Sequence, residues 1–207
     1  MDKIKDQYRQ AWSFCIRRIL PIFLGTLGVA VGISVLFTLM FKEHTDIAAK
    51  MIKYFLDQSK DIIVNGDISC GRLFLNNLEA SGMATIIGIV PFVFLPAVSL
   101  LSNTAVIGAF FSLYSLGGQD VVRMLVFGIL PHGIFEITAI ILSISMGIYL
   151  CYTICCLIIG NGKKRGHKFK SAVMDIIRAF VCFVVPLLIV AAVVETYVTP
   201  LLIDKFV

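Results

Sequence analysis

From Ile19 to Phe41, between Arg18 and Lys42, the chain carries no charged side chain at all. No other feature constrains the fold as strongly. As an α-helix this run reaches about 34 Å, enough to cross the hydrocarbon core of a bilayer with some tilt. Composition agrees: 58% of the 207 residues are apolar and only 15% charged, with a mean hydropathy of +0.94, whereas soluble domains carry roughly a quarter charged residues. A soluble domain this short leaves too much surface in water to hide such an excess, so the missing solvent is lipid. The run is longer than the apolar core of a secretory signal, and no A-x-A-like site follows it. It is expected to remain as an anchor.

The rest of the chain reads as an all-α integral membrane protein of about five transmembrane helices. Residues 1–18 form an expected cytoplasmic interfacial helix. Ile4, Tyr8, Trp12, Cys15 and Ile16 fall on one face, and Lys5, Asp6, Arg9 and Arg17 on the other, the pattern of a helix lying on an anionic surface. Residues 19–207 form a single polytopic membrane domain. Its expected spans are 19–41, 80–101, 103–117, 121–160 and 176–197, the last kinked at Pro186. The region 82–116 is too long for one crossing and is divided near Asn103. The fourth span is expected to break near residues 131–133, because proline removes a backbone donor and the adjacent glycine loosens the helix. Gly25, Gly28 and Gly32 give the first span a small-residue face for close helix packing.

Residues 42–78 are the only substantial polar segment between apolar runs. Ile47, Met51, Phe55 and Ile62 predict a short amphipathic helix ending at the turn dipeptide Asn65-Gly66. The segment is too small for an enzyme domain, so it is read as an extracytoplasmic cap or docking surface. Basic residues gather in 3–18 and 163–170, and such clusters mark cytoplasmic loops. Three crossings between an external 42–78 and an internal 163–170 satisfy that parity. The N-terminus is then cytoplasmic and the C-terminus extracytoplasmic. The basic residues lack the aromatic interleaving or zinc spacing of a nucleic-acid binder. Four of the six cysteines (Cys151, Cys155, Cys156 and Cys182) lie in apolar runs and Cys15 just before one. They behave as small hydrophobes rather than a disulfide framework.

Charge inside a bilayer is costly, so ionisable residues in the spans are functional candidates. They are His132, Glu136 and Glu195, joined by the polar Asn77 and Asn103. His132 and Glu136 stand four apart and share a helical face. Three readings compete: a structural tether for the broken helix, a proton- or substrate-linked site in a wet cavity, and a catalytic or metal site. Zinc sites usually take three protein ligands, and a metalloprotease helix carries H-E-x-x-H. Here one helix offers one histidine and one carboxylate. No nucleophile motif or phosphate-binding glycine loop is present, so neither catalysis nor a metal or other cofactor is expected.

Leu130-Pro131-His132-Gly133-Ile134-Phe135-Glu136-Ile137-Thr138-Ala139 closely resembles the characteristic segment of the stage II sporulation protein M family, where L-P-H-G-x-x-E-I-P-A is usual. Thr138 stands in place of the common proline, which implies a less kinked helix. Asn76-Asn77, Asn103 with Gly108, and Glu195 with Thr199-Pro200 look like the family's other polar positions. The similarity extends over about residues 70–200. It implies a bacterial cell-membrane scaffold without catalysis, anchoring peptidoglycan-degrading partners, as the founding member does for stage II sporulation proteins D and P during engulfment. Relatives also accompany circular bacteriocin production. The alternative is a small transporter, or transport-complex subunit, for a lipid or peptide with its polar site at His132/Glu136. It would call for a homodimer, because five spans are few for a pore.

Overall fold

The computed structural model describes residues 2–58, 60–64, 67–93, 95–159 and 165–206. In chain order the elements are α1 (Asp2–Phe14), α2 (Leu20–Glu43), α3 (Thr45–Gln58), β1 (Ile63–Val64), β2 (Asp67–Ile68), α4 (Cys70–Ile86), α5 (Pro96–Leu116), α6 (Val121–Arg123), α7 (Leu130–Ile159), α8 (Arg165–Ala179), α9 (Val185–Val193) and α10 (Thr199–Phe206). The strands pair antiparallel, Ile63 with Ile68 and Val64 with Asp67. They flank Asn65-Gly66, the expected turn, which itself lies outside the described residues. The basic stretch 163–170 is likewise outside them at 163 and 164.

Several helices run into one another. Among the described residues, four continuous stretches are long and apolar enough to cross a membrane: Lys5–Glu43, Pro96–Leu116, Val121–Ile159 and Phe169–Phe206. The junctions inside three of them are π-helical turns at Cys15–Ile19, Met124–Ile129, Phe180–Val184 and Val194–Val198. Each ends two residues before a proline: Pro21, Pro131, Pro186 and Pro200. In every case the residue just before the proline donates its N–H to the carbonyl five residues back: Leu20 to Cys15, Leu130 to Leu125, Val185 to Phe180 and Thr199 to Val194. Proline has no N–H and its ring crowds the carbonyl four residues earlier. A widened turn accommodates the ring while keeping neighbouring carbonyls bonded, which matters where no water can reach them.

This arrangement corrects three expectations. The fourth span is not broken at residues 131–133. Helical bonding continues through them, and the irregularity is the π turn just before. Residues 1–18 are not a separate helix either, because α1 continues through the first π turn into α2. The division of the 82–116 region falls in the turn around Pro91 to Leu95, not near Asn103, which sits inside α5. In place of spans 80–101 and 103–117 the chain has α4, which starts earlier, and one unbroken α5.

α4 lies parallel to α7 along much of its length. Asn77 reaches Glu136; Thr85 Oγ1 donates to the Ser143 carbonyl at 3.1 Å; Gly88 abuts the Gly147 backbone. Below these, Cys151 Sγ bonds the Val90 carbonyl at 3.4 Å and Phe92 N–H donates to Cys155 Sγ at 3.2 Å. Glu136 to Cys155 spans about 28 Å of helix. The Cys151/Cys155 face thus holds the turn between α4 and α5. At that end lies a core of Phe14, Ile19, Met146, Leu150, Ile176 and Ala179. There α1 packs along α8, and Tyr8 and Trp12 lean on Phe183 with ring centroids 5.3 and 5.9 Å apart.

At the opposite end α3 docks on α5. Ala48, Met51 and Ile52 pack with Phe41, Ala105, Ala109 and Leu113, while Tyr54, Phe55 and Leu56 are exposed. The expected packing face Gly25, Gly28 and Gly32 meets none of the described residues within 4 Å of a Cβ placed on it. Among the described residues the close approaches are elsewhere: α4 on α7 at Ala84 and Gly147, the turn just after α4 on α7 at Gly88, and α2 on α5, where Gly108 faces Phe37.

Candidate functional site

The polar residues expected to matter meet where α4, α7 and the end of the last helical stretch converge. His132 and Glu136 project from α7 one turn apart, just after the Met124–Ile129 π turn. Glu195 comes from the π turn Val194–Val198, and Asn77 from α4. His132, Glu136 and Glu195 each present a ligand-capable atom, and these atoms all lie within 4.8 Å of one another. All three are partly buried. Asn77 is only 6% exposed. Its side chain reaches Glu136, yet its Nδ2 completes no hydrogen bond among the described residues. Two carboxylates this close, away from bulk water, repel one another, and none of the described ion pairs involves either glutamate.

A residue not expected at the site completes it. His132 Nδ1 lies 3.2 Å from Thr199 Oγ1, and Thr199 Oγ1 donates to the Val194 carbonyl at 3.3 Å. A hydroxyl has one proton to give. With that proton directed to Val194, Thr199 accepts from Nδ1–H, and the lone pair of His132 is left on Nε2. The π turn ahead of Pro200 sets up this relay, because it places Thr199 five residues past Val194. The only sequence signal for it was Thr199-Pro200 trailing Glu195.

Asn103 does not join the group. It is exposed on α5 and donates to the Ser99 carbonyl at 2.8 Å. Pro131 and Gly133 act through the backbone: Pro131 goes with the π turn, and Gly133 is buried in α7. The site therefore ties three helices through five polar side chains, in a geometry able to hold a proton or a cation. The ligand count that one helix could not reach is met by Glu195.

The family model for stage II sporulation protein M matches residues 19–200, which takes in every residue of this cluster. The chain belongs to that family. An uncharacterized protein of Methanocaldococcus jannaschii is 26% identical over 138 residues, covering 67% of this chain and 75% of the relative. No solved structure matches the chain. Family membership and the four membrane-length apolar helices make this a membrane protein.

Proposed function

We propose that this stage II sporulation protein M family member is a non-enzymatic membrane scaffold. In this reading it crosses the cell membrane five times, with its N-terminus cytoplasmic, and holds extracytoplasmic partners of the cell-wall hydrolase kind at the bilayer. The observation that carries the reading is the outer platform. α3 is pinned to α5 by Ala48, Met51 and Ile52 and turns Tyr54, Phe55 and Leu56 outward. Beside it lies a largely apolar groove of about 350 Å³ lined by Ile52, Phe110, Leu113, Tyr114, Gly117 and Gln119. Aromatic, partly apolar surface of this sort is what protein interfaces are built around. The fifth crossing is α4. It is less apolar than the other four, but its 17 residues reach about 26 Å, close to the thickness of a hydrocarbon core, and it packs on α7. The packing of α1 on α8 favours placing both basic segments on one side. The transport alternative drew on an interrupted helix at His132/Glu136, and α7 is continuous there.

Two experiments test the reading. Replacing residues 44–68 with a neutral linker is expected to abolish co-purification of cell-wall hydrolases from the native membrane while leaving the protein inserted. Undiminished capture would remove the platform from the argument. For topology, single cysteines are placed in a background freed of the native six. Those at Gln119 and Asp204 should react with an impermeant maleimide on intact cells. Those at Arg9, Val93 and Lys170 should react only after permeabilisation. Labelling of the residue-93 cysteine on intact cells would rule out α4 as a crossing.

A further inference from the structure

We propose that His132, Glu136 and Glu195 bind one divalent transition-metal ion of the zinc type, which fastens α7 to the last helical stretch. The donor set is one imidazole nitrogen and two carboxylates, two of the three donors from α7 and one from the last helical stretch, gathered within 4.8 Å. In a tetrahedral zinc site, ligand atoms about 2.0–2.2 Å from the metal stand roughly 3.4 Å apart. Modest χ adjustments in the two long glutamate side chains close the difference and leave the fourth position to water. Charge balance favours the ion. A dication with two carboxylates and a neutral imidazole sums to zero, the arrangement that low-dielectric surroundings tolerate best.

The surroundings are those of a metal site. When the Thr199 proton goes to Val194, Thr199 accepts from Nδ1–H of His132; that tautomer leaves the Nε2 lone pair for the ion, with Thr199 in the usual role of an outer-shell partner. Asn77, 6% exposed and with Nδ2 lacking a completed hydrogen bond, reaches Glu136. It is placed to donate to that carboxylate once the metal has oriented it. The inference does not depend on the scaffold reading, because a scaffold and a transporter could equally carry such a fastening.

The test uses the full chain purified in mild detergent, with all six cysteines replaced so that thiols cannot bind metal. After chelator treatment it is dialysed against micromolar zinc and measured by elemental mass spectrometry. About one zinc per chain is expected. Affinity should fall by at least about tenfold in Thr199→Val, as for other outer-shell changes, and binding should be lost in His132→Ala and in Glu195→Gln. Cobalt in place of zinc should give the visible bands of a nitrogen/oxygen site of low coordination number. That spectrum decides the matter even if the variants fail to fold. Stoichiometric zinc retained by folded His132→Ala, negligible zinc in the unsubstituted site, or a cobalt spectrum of the hexa-aquo type would each overturn the proposal.

Discussion

Replacing Gly147 by leucine is expected to lower the unfolding temperature in detergent by about 6–12 °C, from a loss of about 3 kcal/mol. At Gly147 the α7 backbone runs against α4 with nothing between them. A Cβ there would collide with the Ala84 carbonyl and come within 2.9 Å of the Pro96 ring. Overpacking usually costs about 1–3 kcal/mol, and this position belongs at the top of that range. The obstacle is a backbone carbonyl inside a helix, which cannot rotate aside as a flexible side chain could. Gly32→Leu is the control, because a Cβ at Gly32 meets open space and its cost should stay within about 0.5 kcal/mol. Heating each variant and measuring the monodisperse fraction by size exclusion checks both. Equal losses for the two would mean that the close helix crossing lies elsewhere.

The second large effect is at Phe41, which is 1% exposed and stacks on Phe37 with ring centroids 5.5 Å apart. It sits where α2, α3 and α5 meet, against Ala48, Ala105 and Ala109. Alanine neighbours cannot move to fill a vacated ring, so Phe41→Ala should cost about 3–5 kcal/mol. Because α3 is held to the membrane body at this cluster, the variant should also expose residues 45–58 to externally added protease. Leu56→Ala, at an exposed position of the same helix, should leave both stability and protease resistance nearly unchanged. On the platform reading it should still weaken partner capture. A Phe41→Ala protein as protease-resistant as the parent would show that α3 is anchored by other contacts.

In lipid, polar side chains and prolines can both sit inside a continuous helix. Ser102-Asn103-Thr104 looked like a division because polar side chains suggest a loop. In lipid, such side chains instead bond their own helix: Ser102 and Asn103 to the Ser99 carbonyl, and Thr104 to Leu100. No water or loop is required. The prolines misled in the other direction. Pro131 suggested a gap, but a π turn absorbs it, as it does at Pro21, Pro186 and Pro200. Pro91 and Pro96, where no such turn intervenes, flank the true boundary. The glycine stripe on α2 matched the pattern of close helix packing, yet among the described residues the glycines used for it are Gly88, Gly108 and Gly147. A small residue permits close approach but does not specify which helix will come near.

The sequence by itself determined the solvent and the family. An uncharged run from Ile19 to Phe41 is long and apolar enough to cross a bilayer, and the residues around His132 and Glu136 are legible because they are four apart on one helix. Tertiary structure alone decided what that pair faces. Glu195 and Thr199 lie some sixty residues further on, and nothing in local periodicity connects them to α7. Packing of separate helices brings them together, and it turns two ionisable groups on one helix into three possible ligands around one point.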